Sequence, residues 1–207
     1  MVNHLLLNTR QIFVILTGFI LIFVGACSDP KAANEGNFKK ALQDYLNFRE
    51  ARGDYCMGGG KYPFNIGFPN FGYADPDLEK IGLIKDITPP GQWPRTQFDL
   101  TDKGRQFFTP DKGFCYGKPV VINIINFSEP SSGSFGYNGK TISEVKFEYR
   151  MEGAPAWAIE VGQNGSLHTS NLTISGSPIS VTNPVKEGGR LILTNKGWVH
   201  EMLFEKN

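Results

Sequence analysis

The chain has 207 residues, with 21 Lys or Arg against 20 Asp or Glu, so its formal net charge at pH 7 is +1. A nucleic-acid partner would require a concentrated basic face, and this neutral balance argues against one. The length suits one domain or two small ones.

At the N-terminus a basic residue, a short apolar run and small residues precede a cysteine. Arg10 stands before the run Gln11 to Val24, and Gly25 and Ala26 lead into Cys27. This order is typical of a secretory signal peptide. The run of about 14 residues is shorter than the roughly 20 that a membrane-spanning helix needs. A single-pass membrane anchor is the competing interpretation, and an ordinary secretory signal with an incidental Cys27 is another.

The residues Val24-Gly25-Ala26-Cys27 resemble the lipobox of bacterial lipoproteins. In that family the cysteine is acylated and becomes the new N-terminus, so the resemblance implies a signal peptide over residues 1–26 and a lipidated Cys27. Ser28 resembles the residue that sorts such proteins to the outer membrane in enteric bacteria. We therefore expect a protein of the bacterial cell envelope, held at the outer membrane by its N-terminal lipid and facing the periplasm. Residues 27–36 are expected to form a flexible tether.

The following segment has apolar residues at three- and four-residue spacing, which is typical of an amphipathic helix. The apolar positions are Phe38, Ala41, Leu42, Tyr45, Leu46 and Phe48. Asn37 suits the N-cap position, and the pattern stops near Gly53. We predict a helix of about four turns that packs against the rest of the domain.

Two cysteines remain once Cys27 is assigned to the lipid. In an oxidising compartment Cys56 and Cys115 are expected to form a disulfide. Closing a loop of about 60 residues would stabilise the fold by about 4 kcal/mol in the chain-entropy model. A redox-active dithiol is the alternative, although the chain has no CxxC spacing, and two cysteines are too few ligands for a metal site.

The segment from Met57 to Tyr73 is rich in glycine, proline and aromatic residues, which excludes a long helix. Its rings are candidates for a binding platform that stacks a sugar or grips a peptide. The alternative is an irregular loop whose rings cover the core. The candidate binding residues are Tyr62, Phe64, Phe68, Phe71 and Tyr73.

The sequences LEKIGLI (residues 78–84) and FDLTDKG (residues 98–104) resemble a segment of winged-helix transcription regulators. The resemblance implies a short helix starting at Pro76 and ending at Gly82, a two-stranded wing with Pro89-Pro90-Gly91 at its tip, and a new helix. A recognition helix should precede this segment, but the Gly- and Pro-rich stretch lies there instead, with Lys61 its only basic residue. We expect a winged-helix-like substructure without DNA binding.

The second half of the chain has the patterns of β-strands. The run Val120 to Phe127 is rich in β-branched residues, and Val145, Phe147 and Tyr149 alternate with charged residues. Trp157, Ile159 and Val161 repeat this alternation before an Asn164-Gly165 turn. Leu172 to Val181 is predicted to hold one or two short strands.

The C-terminal residues indicate a hairpin, with strands over residues 191–194 and 198–204 and a turn at Asn195-Lys196-Gly197. The predicted fold is α+β: an N-terminal helix and a small loop-rich or winged-helix-like layer, followed by an antiparallel sheet of about five or six strands. We predict a helical and loop-rich subdomain over residues 37–117 and an antiparallel β subdomain over residues 118–207.

Catalytic motifs are scarce, and no cofactor or metal motif is recognisable. His168 stands among Ser and Thr residues, where a Ser–His pair could form. A carboxylate pair for glycoside cleavage could come from Glu144, Glu148, Glu152 or Glu160, but alternating charges are usually a solvated face. The leading hypothesis is a non-enzymatic envelope protein that binds a partner protein or a cell-wall component. The alternative is an envelope hydrolase that uses His168 or a carboxylate pair.

Overall fold

Five helices and eleven strands make up the part of the chain that the computed structural model describes, namely residues 29–65, 76–133, 137, 139–164, 181 and 183–204. The helices are α1 (Glu35–Arg52), α2 (Pro76–Lys80), α3 (Asp102–Phe107), α4 (Ala156–Asn164) and α5 (Glu201–Phe204). The strands are β1 (Cys56–Met57), β2 (Phe64–Asn65), β3 (Ile84–Asp86), β4 (Gln97–Leu100), β5 (Phe108–Thr109), β6 (Gly113–Cys115), β7 (Lys118–Phe127), β8 (Ser131–Ser132), β9 (Thr141–Glu152), β10 (Val185–Thr194) and β11 (Gly197–His200). They form three antiparallel sheets, and the predicted α+β class is confirmed.

Helix α1 begins earlier than the sequence predicts. Asn34 is the N-cap, and its side-chain oxygen accepts a hydrogen bond from the backbone N–H of Asn37 at 2.9 Å. The prediction of Asn37 as N-cap is therefore wrong, because Asn37 lies in the first turn. The predicted end is confirmed, since Gly53 has φ +84° and its N–H donates to the carbonyls of Arg49 and Glu50.

The residues before α1 belong to the fold. Ala32 donates its N–H to the carbonyl of Asp29 at 3.0 Å, and the indole N–H of Trp198 donates to the carbonyl of Lys31 at 3.0 Å. Residues 29–36, which the sequence predicts as part of a flexible tether, thus include a fixed turn and the start of α1. None of the helices in the described ranges is long and apolar enough to cross a membrane.

The largest sheet has five strands, in the order β11-β10-β9-β7 with β8 paired to β9. In β9 the side chains of Val145, Phe147 and Tyr149 are buried, whereas the charged residues between them are exposed or half-buried. This confirms the predicted alternation, and the predicted β-branched run lies in β7.

The C-terminal hairpin forms between β10 and β11, with Thr194 paired to Gly197 across a turn at Asn195 and Lys196. Gly197 has φ +122°, a conformation that favours glycine. The second strand is shorter than predicted, because it ends at His200 and α5 follows.

The prediction of a strand at Trp157, Ile159 and Val161 is wrong, because α4 occupies these positions. Trp157 and its neighbour Ala158 are both buried, while Ile159 is 38% exposed, which no strand alternation produces. The short strands predicted within Leu172 to Val181 fall, up to Ser180, outside the described residues, as does Gly165 of the predicted turn.

The two small sheets have the orders β1-β6-β5 and β2-β4-β3. The second contains the predicted wing: α2 begins at Pro76, the chain turns at Gly82 with φ +73°, and the hairpin β3–β4 leads into α3. Thr101 caps α3, accepting from the N–H of Gly104 at 2.9 Å. A winged-helix-like order of elements is therefore present.

One hydrophobic cluster joins α1, both small sheets and the strands of the large sheet other than β8. Helix α1 packs on the large sheet, where the ring of Phe38 contacts Phe127 and Trp198, each edge to face with centroids 4.9 Å apart. Gln43 ties α1 to β7, because its side chain accepts from the N–H of Val121 and donates to the carbonyl of Pro119. Residues of both predicted subdomains, 37–117 and 118–207, contribute to this cluster.

Candidate functional site

The tip of the β3–β4 hairpin presents the most exposed large hydrophobic side chain in the described ranges. Trp93 is 85% exposed, whereas the next such residue, Ile125, is 41% exposed. The tip contains the predicted turn at Pro89-Pro90-Gly91, where Gly91 has φ +83°. An indole left in water at the end of a hairpin is unusual, since tryptophan is highly buried on average.

Hydrogen bonds between the two sides fix the base of this tip. The hydroxyl oxygen of Thr88 accepts the N–H groups of Thr96 at 2.9 Å and Gln97 at 3.0 Å. Asp86 accepts the N–H of Thr88 at 2.8 Å. Hydrogen bonding from the side chain and the backbone of Thr88, together with the charge of Arg95, lowers the pKa of the Asp86 carboxyl. These bonds join the two sides of the hairpin where the tip begins.

Arg95 fixes the other side of the tip. Its guanidinium pairs with Asp86 at 2.7 Å and with Glu79 of α2, and it lies over the ring of Phe98 at 5.5 Å. Arg95 stands two positions after Trp93. Its contact with Phe98 therefore fixes the backbone close to the exposed indole against the small sheet.

One of the predicted binding residues, Phe64, lies in the strand next to this hairpin, and Tyr62 stands two positions before it. Phe64 is in β2, in register with Phe98 of β4, and is half-buried. Tyr62 is half-buried with its ring against Phe108 at 5.2 Å, and burial raises the pKa of its hydroxyl to about 12. Tyr62 thus covers part of the core, as the packing alternative expects.

The other predicted aromatic residues, Phe68, Phe71 and Tyr73, lie outside the described residues. Their part in a binding surface stays a prediction. The described elements on either side of these residues, β2 and α2, belong to the layer that carries the hairpin.

Cys56 and Cys115 are joined by a disulfide, with an S–S distance of 2.06 Å, and are register partners in β1 and β6. The predicted disulfide is confirmed. It links the chain directly after α1 to the strand that precedes β7. The predicted lipidation site, Cys27, lies outside the described residues.

The candidate carboxylates of β9 face cations rather than one another. Glu144 pairs with Arg190 at 2.7 Å, Glu148 with Lys186 at 3.9 Å, and Glu152 with Arg150 at 2.6 Å. Glycosidases need two carboxyls that flank one bond of the substrate. These paired, outward-facing groups form a solvated face and provide no such arrangement. Glu160 is exposed on α4.

An open groove of about 480 Å³ lies over this face. Gly188 leaves space between the charged side chains of the neighbouring strands, because its position carries no side chain. Arg190 lines the groove and pairs with two other lining residues, Glu144 at 2.7 Å and Glu201 at 3.4 Å. The hydroxyl of Tyr137 donates to Glu201 at 2.6 Å. Within the groove Arg190 is thus paired with two carboxylates, and Lys146 also lines it.

The candidate catalytic histidine, His168, lies outside the described residues, and a second histidine, His200, is buried beneath α1. Its ring stacks on Tyr45 with centroids 3.7 Å apart, and its Nδ1 accepts the N–H of Met202 at 3.2 Å. Within the described ranges its Nε2 has no hydrogen-bond partner. Burial, and then the charge of Arg49, lower the pKa of His200 to about 4, so the ring is neutral near pH 7.

A buried ion pair beside His200 was missed by sequence reasoning. Arg49 pairs with Glu187 of β10 at 3.1 Å and with Asp54 at 3.3 Å, and Tyr45 donates its hydroxyl hydrogen to Glu187 at 3.0 Å. Arg49 follows Tyr45 by four positions and therefore continues the buried face of α1, which was the available signal. The cluster joins the helix to the sheet, and removing one partner would leave an uncompensated buried charge.

In the described ranges no group of three or more His, Cys, Asp or Glu residues could hold a metal ion. No protein-family model, curated protein or solved structure matches the chain. The function must therefore be argued from the residues and the geometry.

Proposed function

We propose that the chain is a lipid-anchored protein of the bacterial cell envelope, at the outer membrane and facing the periplasm, that binds a partner protein or a cell-wall component without catalysing a reaction. The observation that carries the proposal is Trp93, an 85% exposed indole at the tip of a fixed hairpin. The lipobox-like sequence ending at Cys27 supports the location.

The hairpin tip has the properties of a binding anchor. Tryptophan is enriched among the residues whose truncation weakens interfaces most, because it buries a large area with few rotatable bonds. The hydrogen bonds of Thr88 and the ion pairs of Arg95 hold the tip in place, so a partner would not have to order it. The neighbouring predicted aromatic segment could extend the same surface.

The rival function, an envelope hydrolase, has less support. Glu144, Glu148 and Glu152 each face a cation on the outside of the sheet, and the chemistry of His168 rests on its sequence context alone. No second observation favours catalysis over binding.

The test starts with a photocrosslinking amino acid at position 93, expressed in the native envelope, which identifies the partner. The purified partner is then titrated against the wild type and Trp93→Ala. We expect Trp93→Ala to raise Kd at least about tenfold, equivalent to about 1.4 kcal/mol. Its melting temperature should not change, because the indole is mostly in water.

Ile125→Ala is the matched control, because Ile125 is also exposed and apolar but lies on β7 of the large sheet. It should leave Kd unchanged. Equal affinity of Trp93→Ala and wild type for every crosslinked molecule would refute the hairpin as the binding site. Turnover of a cell-wall fragment by the pure protein would refute the non-enzymatic function.

A further inference from the structure

Hydrogen bonds tie the turn ahead of α1 to the helix and to the large sheet. The side-chain amide of Asn37 donates to the carbonyls of Asp29 and Ala32, each at 2.8 Å. The indole N–H of the buried Trp198 donates to the carbonyl of Lys31 at 3.0 Å. The fold therefore fixes the path of the chain from Asp29 onward.

The β10–β11 turn lies beside this segment. A Cβ atom on Gly197 would stand 2.8 Å from the carbonyl oxygen of Pro30, which shows how closely the two backbones approach. Asn195 and Lys196, at the tip of that turn, are exposed, as are Asp29 and Lys31. We call the exposed residues 29–31 and 195–196 the anchor-proximal end.

Very little chain separates this end from the predicted lipid. Cys27 precedes Asp29 by two positions. Two residues, even fully extended, span at most about 7 Å between Cα atoms. A lipid on Cys27 would therefore hold the anchor-proximal end within reach of the phospholipid headgroups.

We propose that the anchor-proximal end docks directly on the phospholipid bilayer, so that the domain stands on the membrane in one orientation. This inference rests on the proposed acylation of Cys27. The anchor-proximal end carries Asp29 against Lys31 and Lys196, too few cations to bind anionic lipid strongly by charge alone. The short covalent connection imposes the docking, and it persists at high salt.

The orientation points the hairpin away from the membrane. Helix α1 has 18 residues and runs about 27 Å from the anchor-proximal end. The disulfide-linked strands follow at its far end, where Cys56 donates its N–H to the carbonyl of Gly53. A Cβ atom on Gly58, just after β1, would lie 2.8 Å from the side chain of Leu78 of α2. Helix α2 and the β3–β4 hairpin that follows it therefore lie at this far end.

The experiment uses the full acylated protein in vesicles of phosphatidylethanolamine and phosphatidylglycerol that contain a lipid with a nitroxide on its headgroup. A fluorophore is attached through Lys196→Cys in one sample and through Gln92→Cys, at the hairpin tip, in a control. We expect the nitroxide lipid to reduce the fluorescence at position 196 and to leave that at position 92 unchanged, at low and at high salt.

A second variant keeps the lipid and removes the constraint. A flexible Gly-Ser segment of about ten residues, inserted between Ser28 and Asp29, has a root-mean-square span of roughly 16–19 Å. It should reduce the quenching at position 196 while the protein stays bound to the vesicles.

Two outcomes overturn the docking, and they differ in cause. Vesicle-bound protein with equal quenching at positions 92 and 196 would show that the domain is anchored but not docked. Protein that neither sediments with vesicles nor carries acyl mass would refute the anchor itself, and the docking with it.

Discussion

Burial of a neutral His200 predicts a specific loss of stability at mildly acidic pH. The pKa of His200 is about 4 in the fold, against an ordinary value near 6.5 in an unfolded chain. As the pH falls below 6.5, the unfolded chain takes up a proton and the folded chain does not, so stability decreases down to about pH 4. Between pH 7 and pH 5 the linkage relation gives a loss of about 2 kcal/mol.

The measurement is urea unfolding at pH 7 and at pH 5, on a chain that starts at Ser28 and is exported behind a cleavable signal. The control variant is His200→Phe, which keeps an aromatic ring against Tyr45 but cannot titrate. Its free energy of unfolding at pH 7 is expected to fall, because the acceptor for the N–H of Met202 is lost. Its change between pH 7 and pH 5 should be smaller than that of wild type by about 2 kcal/mol.

Asp86 does not interfere in this window. The lowered pKa of Asp86 lies below 3.8, so its contribution is lost at lower pH than the interval measured. Equal stability of the wild type at both pH values would contradict the reasoning, as would a full loss retained in His200→Phe. Either result would mean that the imidazole is hydrated or paired in the folded protein.

Two further predictions concern the cysteines. Replacing Cys56 and Cys115 together by Ser should lower the free energy of unfolding by about 2–4 kcal/mol, measured by urea titration, because the bond closes a loop across 59 positions; free thiols in protein purified without reductant would exclude the bond. Cys27→Ala should abolish acylation and leave the precursor uncleaved or cut elsewhere, as intact mass shows; a mature wild-type mass without acyl chains would sink the lipoprotein assignment.

The sequence predicted those parts of the fold in which local pattern and tertiary packing agree. The alternation of Val145, Phe147 and Tyr149 matches the buried face of β9, and the Asn195-Lys196-Gly197 turn matches the hairpin that closes the chain. The error at Trp157 has a physical cause. Apolar residues at alternate positions fit a strand with one buried face. In the structure the adjacent residues Trp157 and Ala158 are both buried, as on one side of a helix, and the sequence does not show which of its apolar residues are buried.

The candidate site was harder to predict because its defining property is exposure. Trp93 stands among Pro, Gly and Gln residues, and the sequence alone marks that stretch only as a turn. Whether an aromatic residue in a turn folds back on the core depends on the contacts that position the turn, here those of Thr88 and Arg95, and the sequence does not show which contacts form. The buried partner of Arg49 was likewise hidden, since Glu187 is 138 positions away and became visible only with the register of β10.

The winged-helix-like segment shows why a local motif can predict geometry without predicting function. A Cβ atom at Gly104 would lie 1.9 Å from the carbonyl oxygen of Leu83, so the glycine is needed where α3 crosses the backbone that precedes the wing. Thr101 caps α3 and donates its hydroxyl hydrogen to the carbonyl of Gly82 at 2.6 Å. The LTDKG residues thus build a helix start against a turn, which is a requirement of the chain path and not of DNA. Function depends on what the wing exposes. Here its tip, residues 89–94, exposes an indole between Gln92 and Pro94 and contains none of the cations that a phosphate backbone would require.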